Sequence, residues 1–291
     1  MKITNQLGLP AGLVSAVVND PYQRGPADIS VTQLVSPPRL MALLRRHGNE
    51  LTEDASERLW AIDGQSVHAV LDRIDLTDHL LKYRMFATIN GWIISGELDL
   101  LDVPHGILWD YKKTSLWTVK EGPKTEWVAQ LNVLAWLVSR TTPFVVQQLK
   151  ICALYRDWSL RRSRYERDYE DKPIKVVAVD LWPLDKTKRY IADRVLHHRA
   201  ASQQETITYQ CSDAERWYSG GSYAVTKKGA KRALRLLNSE REAREYCADN
   251  GLDVEHGKVV ITKRESSFPR CESYCPVRSI CDQPRELLKE D

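Results

Sequence analysis

The run from Ser95 to Thr114, SGELDLLDVPHGILWDYKKT, constrains this chain more than any other segment. Two alternating or apolar stretches, Gly96–Leu101 and Gly106–Lys112, meet across Pro104 and His105, the pattern of a β-hairpin. A turn centred between residues 104 and 105 sets Asp99 opposite Asp110 and Glu97 opposite Lys112. Side chains alternate with period two, so all four share one face of the sheet. Directly opposed residues have Cβ atoms about 4.5–5.5 Å apart, and like charges there destabilise the pair. An Asp99/Asp110 opposition therefore calls for a cation between the carboxylates. A shift of two residues keeps the shared face, whereas a slip of one destroys it.

Pattern along the rest of the chain surrounds this hairpin with helices and further strands. Ser36 to Gly48 is expected to be a helix, opened by Pro37 and Pro38 and stopped by Gly48. Glu53–Ile74 reads as a longer helix with apolar Leu59, Trp60, Val67 and Leu71. On it, His68 follows Gly64 by four residues and shares its face, and a glycine there admits close approach of another backbone or a metal site. Tyr83–Ile89 and Trp92–Leu101 flank Asn90-Gly91, a strong turn signal, and with Gly106–Lys112 predict a three-stranded antiparallel meander. Glu126–Arg140 reads as a helix, Val145–Tyr155 and Ile174–Leu181 as strands, and Thr187–His198 as a helix. The resulting αβββαβ order places the chain in the α/β class, of α+β type, with a mixed sheet flanked by helices.

Four segments are expected. Residues 1–28 form a poorly patterned leader, 29–218 the core, 219–264 a small insert and 265–291 a cysteine-rich end. Strand Tyr223–Lys227, helix Asn238–Asn250 (capped by Ser239) and strand Lys258–Thr262 give the insert a βαβ-like order.

At 291 residues, 43% of them apolar, the chain has ample material for a core, and 28% charged residues mark a soluble protein. No apolar run approaches the ~18 residues of a membrane span, and the first residues make a poor secretory signal, so a cytoplasmic protein is expected. The net charge of +3 is mild, which shifts attention to local clusters. Arg156, Arg161, Arg162, Arg164 and Arg167 interleave with Trp158 and Tyr165, while Lys227, Lys228, Lys231, Arg232 and Arg235 form a second cluster. Each is either a solvated face or a phosphate-binding surface, and Arg156, Arg161, Arg162, Lys227 and Lys228 are the DNA-contact candidates.

Asp110-Tyr111-Lys112, Asp99 within Gly96-Glu97-Leu98-Asp99, Gln130-Leu131 on the next helix and Gly64-Gln65-Ser66-Val67-His68 upstream occur in the order and spacing of a known family. In these elements the chain resembles the PD-(D/E)XK nucleases of the RecB-like exonuclease branch. SVTQLVSPPR near the front and LYRDW at 154–158 are similar to phage-encoded members, and the likeness spans roughly residues 30–285. It implies a restriction-endonuclease-like core and a Mg²⁺ or Mn²⁺ site formed by His68, Asp99, Asp110 and the Tyr111 carbonyl. It further implies that Lys112 orients the attacking water or stabilises developing charge, and that Gln130 contacts substrate or the lysine. A tyrosine common four residues beyond that glutamine is Leu134 here. Glu97 is a weaker member, expected to pair with Lys112.

Six cysteines stand at 152, 211, 247, 271, 275 and 281, three of them in CESYCPVRSIC. Clustered thiols in a reducing compartment suggest a metal. Several RecB-like nucleases, the CRISPR-associated exonucleases among them, pin the carboxyl terminus to the core with a 4Fe–4S cluster held by a similar trio, although the first gap there is usually shorter. Their fourth cysteine precedes the nuclease motifs, and this chain has none before Cys152. Cys211, at the end of the core before the insert, is the first choice for the fourth ligand and Cys247, in the expected helix of the insert, the second, with an iron–sulfur cluster, zinc or reduced structural thiols as the three readings.

The function expected from the resemblance is a metal-dependent DNA exonuclease in phage recombination, replication or DNA processing, with DNA as substrate and a single-strand annealing protein or helicase as partner. The alternatives are a catalytically idle nucleic-acid-binding or assembly subunit and a zinc-stabilised interaction module.

Overall fold

The computed structural model describes residues 1–19, 25–71, 73–120, 122–230, 232–254 and 256–283 of the chain, which divides into two compact units, Met1–Tyr209 and Gln210–Asp291. Both are mixed α/β, as expected from the pattern. No helix among the described residues is long and apolar enough to cross a membrane.

The first unit opens with β1 (Lys2–Thr4), α1 (Ala11–Val18), β2 (Ile29–Ser30), α2 (Val31–Val35), α3 (Pro38–His47) and β3 (Thr52–Asp54). Contrary to the expected unpatterned leader, β1 pairs in parallel with β3. Asp54 accounts for this. Its Oδ2 accepts from Thr4 Oγ1 (3.0 Å) and the Gln6 amide (2.8 Å), while Oδ1 accepts from the amide and hydroxyl of Ser56. The same carboxylate caps the 3₁₀ turn Ala55–Arg58. The expected helix from Glu53 therefore starts as strand and tight turn, and α4 spans Leu59–Leu71.

Next come β4 (His79–Leu81), β5 (Arg84–Ile89), β6 (Trp92–Glu97), β7 (Leu100–Asp102), β8 (Ile107–Thr114), α5 (Thr125–Thr141), β9 (Gln148–Tyr155), α6 (Leu160–Tyr165), β10 (Ile174–Val179) and α7 (Leu184–Gln203). Asn90 and Gly91 both have positive φ (48° and 75°), the turn the dipeptide predicts between β5 and β6. The expected three-stranded meander, however, divides at residues 98–99. β6 belongs to a β2-β6-β5 sheet and β7 to a five-stranded sheet of order β10-β9-β8-β7-β4. Leu98 and Asp99 join the two sheets, and Asp99 lies in a bend.

Strands β8 and β9 are parallel, so α5 forms the crossover between them. From Leu131 to Val138 every residue of α5 is buried, so this stretch is enclosed all round and not only along the apolar face of Leu131, Leu134, Ala135 and Val138 that its periodicity predicts. The buried Asn132 is satisfied, donating to the carbonyls of Val128 and Asp180 and accepting from the Trp182 amide. Gly96 on β6 is required by this packing. A Cβ there would fall 2.6 Å from Leu137, 2.7 Å from Leu134 and 2.8 Å from Val31.

The second unit holds α8 (Asp213–Arg216), β11 (Ser222–Lys227), β12 (Arg235–Leu237), α9 (Glu240–Asp249) and β13 (Val259–Arg264). The strand–helix–strand order is as expected, but an extra strand is present and the sheet, β12-β11-β13, is wholly antiparallel. It is therefore not a parallel βαβ unit. Ser239 caps α9 by accepting from the Glu242 amide. The division of the chain at 209/210 precedes the boundary expected at 218/219, and residues 219–264 share a unit with the cysteine-rich end.

Candidate active site

The β7–β8 ladder has the register read from the sequence, with Leu100 opposite Trp109 and Asp102 opposite Ile107. One step further, Asp99 and Asp110 meet where the ladder stops. The Asp99 side chain takes over there, its Oδ2 accepting the Tyr111 amide at 2.8 Å. The Lys82 amide donates to the Asp99 carbonyl (3.2 Å), which fixes the bend from the other side. Glu97 does not face Lys112. It lies opposite Arg84 on β5 and pairs with it at 2.8 Å, because β6 has already turned into the other sheet.

Asp110 on β8 is buried, 4% exposed. Lys112 Nζ donates to its Oδ1 (3.0 Å) and forms an ion pair with Oδ2 at 2.8 Å. Burial raises the Asp110 carboxyl above its ordinary pKa and Asp99 adds to this, while Lys112 opposes it. Lys112 also donates to Gln130 Oε1 on α5 at 3.3 Å. From α4, His68 Nδ1 comes within 3.3 Å of Asp99 Oδ1. That contact raises the imidazole pKa above its usual value, against the effect of burial. His68, Asp99, Asp110, Lys112 and Gln130 thus converge from three elements and one bend.

A cavity of about 700 Å³ opens beside them, lined by His68, Asp99 and Gln130 together with Gln65, Lys82 and Arg84. Lys82 and Arg84 belong to no motif. Only the positive φ of Lys82 (44°), uncommon for a residue other than glycine, marks the position, and that is a backbone property invisible in the sequence. Leu134 is 2% exposed and packs on Gly96, so the position of the family tyrosine is core here. Gly64 does not serve the expected close packing, since a Cβ on it would meet nothing within 4 Å.

The donor set suits a hard divalent cation in chemical type: two carboxylates, one of them buried, and an imidazole. Strand geometry puts the Tyr111 carbonyl on the same edge as its amide, beside Asp99. Among the described residues, no group of three or more His, Cys, Asp and Glu side chains is placed so as to hold a metal ion. Instead, Lys112 lies against Asp110 and His68 against Asp99.

Of the DNA-contact candidates, Arg161 is exposed, whereas Arg162 is engaged internally. It forms two 2.8 Å bonds to Glu166 and stacks 4.5 Å over Tyr169. Arg156 stacks over Trp60, with 4.4 Å to the ring centroid. Lys227 and Lys228 are exposed at the end of β11, and Lys231 lies outside the described residues.

Cys211, Cys271, Cys275 and Cys281 belong to the second unit and lie within reach of one another's charge. The Cys211 thiol is pushed up to about 12, first by burial, then by Glu215 and the other three sulfurs. Cys271 and Cys275 are raised too, chiefly by burial. Gln283 clamps the Cys211 backbone with two 2.9 Å bonds. Cys271 sits in a π-helical turn, Arg270–Tyr274. Cys247, the second choice for a ligand, is instead core, packed with Val225, Ala243 and Val259. Cys152 is buried in β9, and no disulfide joins any of the six.

No family model matches the chain, and neither does any curated protein. Among solved structures, the crystal structure of SSO0001 aligns with a TM-score of 0.45 at 15% identity, covering 70% of this chain and 88% of that one.

Proposed function

We propose that the chain is a divalent-metal-dependent deoxyribonuclease of the RecB-like PD-(D/E)XK type, acting from DNA ends. One observation carries this reading: Asp99, Asp110, Lys112, Gln130 and His68 converge through direct contacts beside one cavity, which His68, Asp99 and Gln130 line. A charged face without a function would have no need of a buried Asp110.

Asp99, Asp110, His68 and the Tyr111 carbonyl would hold Mg²⁺ or Mn²⁺, which when bound supplies charge neutralisation and water activation for phosphodiester hydrolysis. Lys112, aimed by Asp110 and Gln130, presents its ammonium to the reacting phosphate and stabilises charge that develops on it. Gln130 restrains the lysine and leaves its own amide nitrogen for the substrate. Lys82 and Arg84 in the cavity wall attract the phosphate backbone.

In the second unit, Cys211, Cys271, Cys275 and Cys281 would hold a 4Fe–4S cluster or zinc, acting as a staple and not as the catalyst. Support comes from the four cysteines sharing one unit and from the Gln283 clamp on the Cys211 backbone; among the described residues no three of the sulfurs are yet placed to hold a metal. The proposed setting is cytoplasmic, that of the host cell for a phage-encoded enzyme, where a single-strand annealing protein or helicase would supply or take up the DNA.

The test is digestion of end-labelled linear and closed circular DNA with Mg²⁺ or Mn²⁺, with Lys112→Ala as control. Metal-dependent loss of linear DNA alone, absent in the variant, is the expected result. Intact DNA under all conditions, with binding retained, would favour the idle subunit instead.

A further inference from the structure

Helix α4 carries three residues spaced by four: Trp60, Gly64 and His68. Residues so spaced lie on one face, about 6 Å apart along the axis. Their surroundings are unusual. No residue of α4 is buried, although the helix is thirteen residues long. Trp60 is 64% exposed, a poor position for a large indole unless something covers it. A glycine inside a helix costs about 1 kcal/mol relative to alanine, yet Gly64 has open space where its Cβ would be. Packing within the protein explains neither residue.

Arg156 is stacked against one side of the Trp60 ring. Its amide donates to the carbonyl of Thr114, the last residue of β8 and two beyond Lys112. Asp157 holds that junction by accepting from Ser115 Oγ and the Leu116 amide. Trp60 thus stands two helical turns from His68 and beside the end of the strand that bears Asp110 and Lys112.

Resting on the nuclease reading above, we propose that Trp60, backed by Arg156, is a stacking platform for an unpaired base of a single DNA strand running along α4 toward His68. An exposed indole takes up a base only when that base is free of its own stack, so the platform selects single strands over duplex. The bare backbone at Gly64 lets the sugar–phosphate pass close to the helix. Arg156 adds positive charge at the same point and keeps the ring in place.

The experiment measures equilibrium binding of fluorescein-labelled single-stranded and blunt duplex oligonucleotides to the full chain carrying Lys112→Ala, which holds substrate uncut. Adding Trp60→Ala is expected to weaken single-strand binding about tenfold or more and to leave duplex binding within about twofold. Trp60→Phe, which keeps a stacking face, should retain most of the affinity and thereby separates stacking from a folding defect. Arg156→Gln should flatten the dependence of single-strand binding on salt by about one unit of slope. Unchanged single-strand affinity in Trp60→Ala, or an equal loss for duplex, would overturn the platform. A wild type that cleaves nothing while Trp60→Ala still loses single-strand binding would overturn the nuclease reading and uphold the platform.

Discussion

Lys113 Nζ bonds Asp63 Oδ1 at 2.6 Å and so ties α4 to β8, one residue beyond Lys112. Because no residue of α4 is fully buried, this pair and the His68–Asp99 contact serve as polar anchors for the helix. Asp63→Asn is expected to leave the melting temperature within about 2 °C, since partly exposed ion pairs contribute little to stability. Cleavage should nonetheless require more metal, as His68 would no longer be held at the site. Metal titrations of wild type and variant would check this, and identical half-saturating concentrations would refute it.

Asp110 combines burial with charge, and the two can be separated. Asp110→Asn keeps the shape but removes a carboxylate whose pKa burial has raised. Cleavage should fall by about a thousandfold or more, given the magnitudes typical of electrostatic groups at reacting centres. The fold should persist, with little change in melting temperature. In the wild type, Mg²⁺ or Mn²⁺ at a hundred times its dissociation constant should stabilise the protein by about 2.7 kcal/mol, and the variant should lose this effect. Differential scanning fluorimetry across a metal series reads both.

The register of β7 against β8 was legible because Pro104 and His105 fix a turn and period-two alternation fixes the faces. The helical run around Gln130 was legible from its apolar periodicity, and the β5–β6 turn from Asn90-Gly91. Glu97 was misplaced because nothing local signals that β6 leaves one sheet and joins another. That division depends on Gly96 fitting beneath Leu134 and Leu137, a contact across long sequence separation. The leader escaped notice for a similar reason, since β1 is held by Asp54, fifty residues from Thr4. At the insert, alternation revealed the strands, but antiparallel pairing depends on partners that a strand–helix–strand order does not specify.

Asp54 makes the amino-terminal strand sensitive to acid. Hydrogen bonds, first from the Ser56 hydroxyl and then from the Gln6 and Ser56 amides, hold its carboxyl well below the usual carboxylate range. A depressed folded pKa means that its contribution is complete above the unfolded value near 3.9 and is lost as the pH falls through the folded one. The Gln6 amide should therefore keep its chemical shift down to about pH 4 and move only in stronger acid. Asp54→Ala should show the released state at neutral pH, seen as rapid hydrogen exchange over residues 2–6.

The cysteines divide by environment. Cys211→Ser and Cys275→Ser should each reduce the iron or zinc content of anaerobically purified protein, bleach any brown colour and lower the stability of the second unit. Cys247→Ser should behave differently: its sulfur lies in an apolar core, so the variant should lose stability by about 1–3 kcal/mol yet retain metal. Elemental analysis beside thermal melts separates the two effects. Wild-type protein free of iron and zinc would remove the staple from the proposal.

Gly96 and Gly64 should respond to alanine in opposite directions. At Gly96 the new methyl would meet Val31, Leu134 and Leu137 within 2.8 Å, forcing β6 away from α5. Overpacking of this kind costs about 1–3 kcal/mol, a fall of several degrees in melting temperature. It should also impair cleavage, because Asp99 follows Gly96 by three residues. At Gly64 the methyl meets nothing, and alanine removes the entropic cost of a helical glycine, so stability should rise by up to about 1 kcal/mol. Single-strand binding should nevertheless weaken, since the added methyl projects into the space where the strand is proposed to pass. A Gly64→Ala protein that is more stable and binds single strands as tightly as the wild type would show that this space is not used.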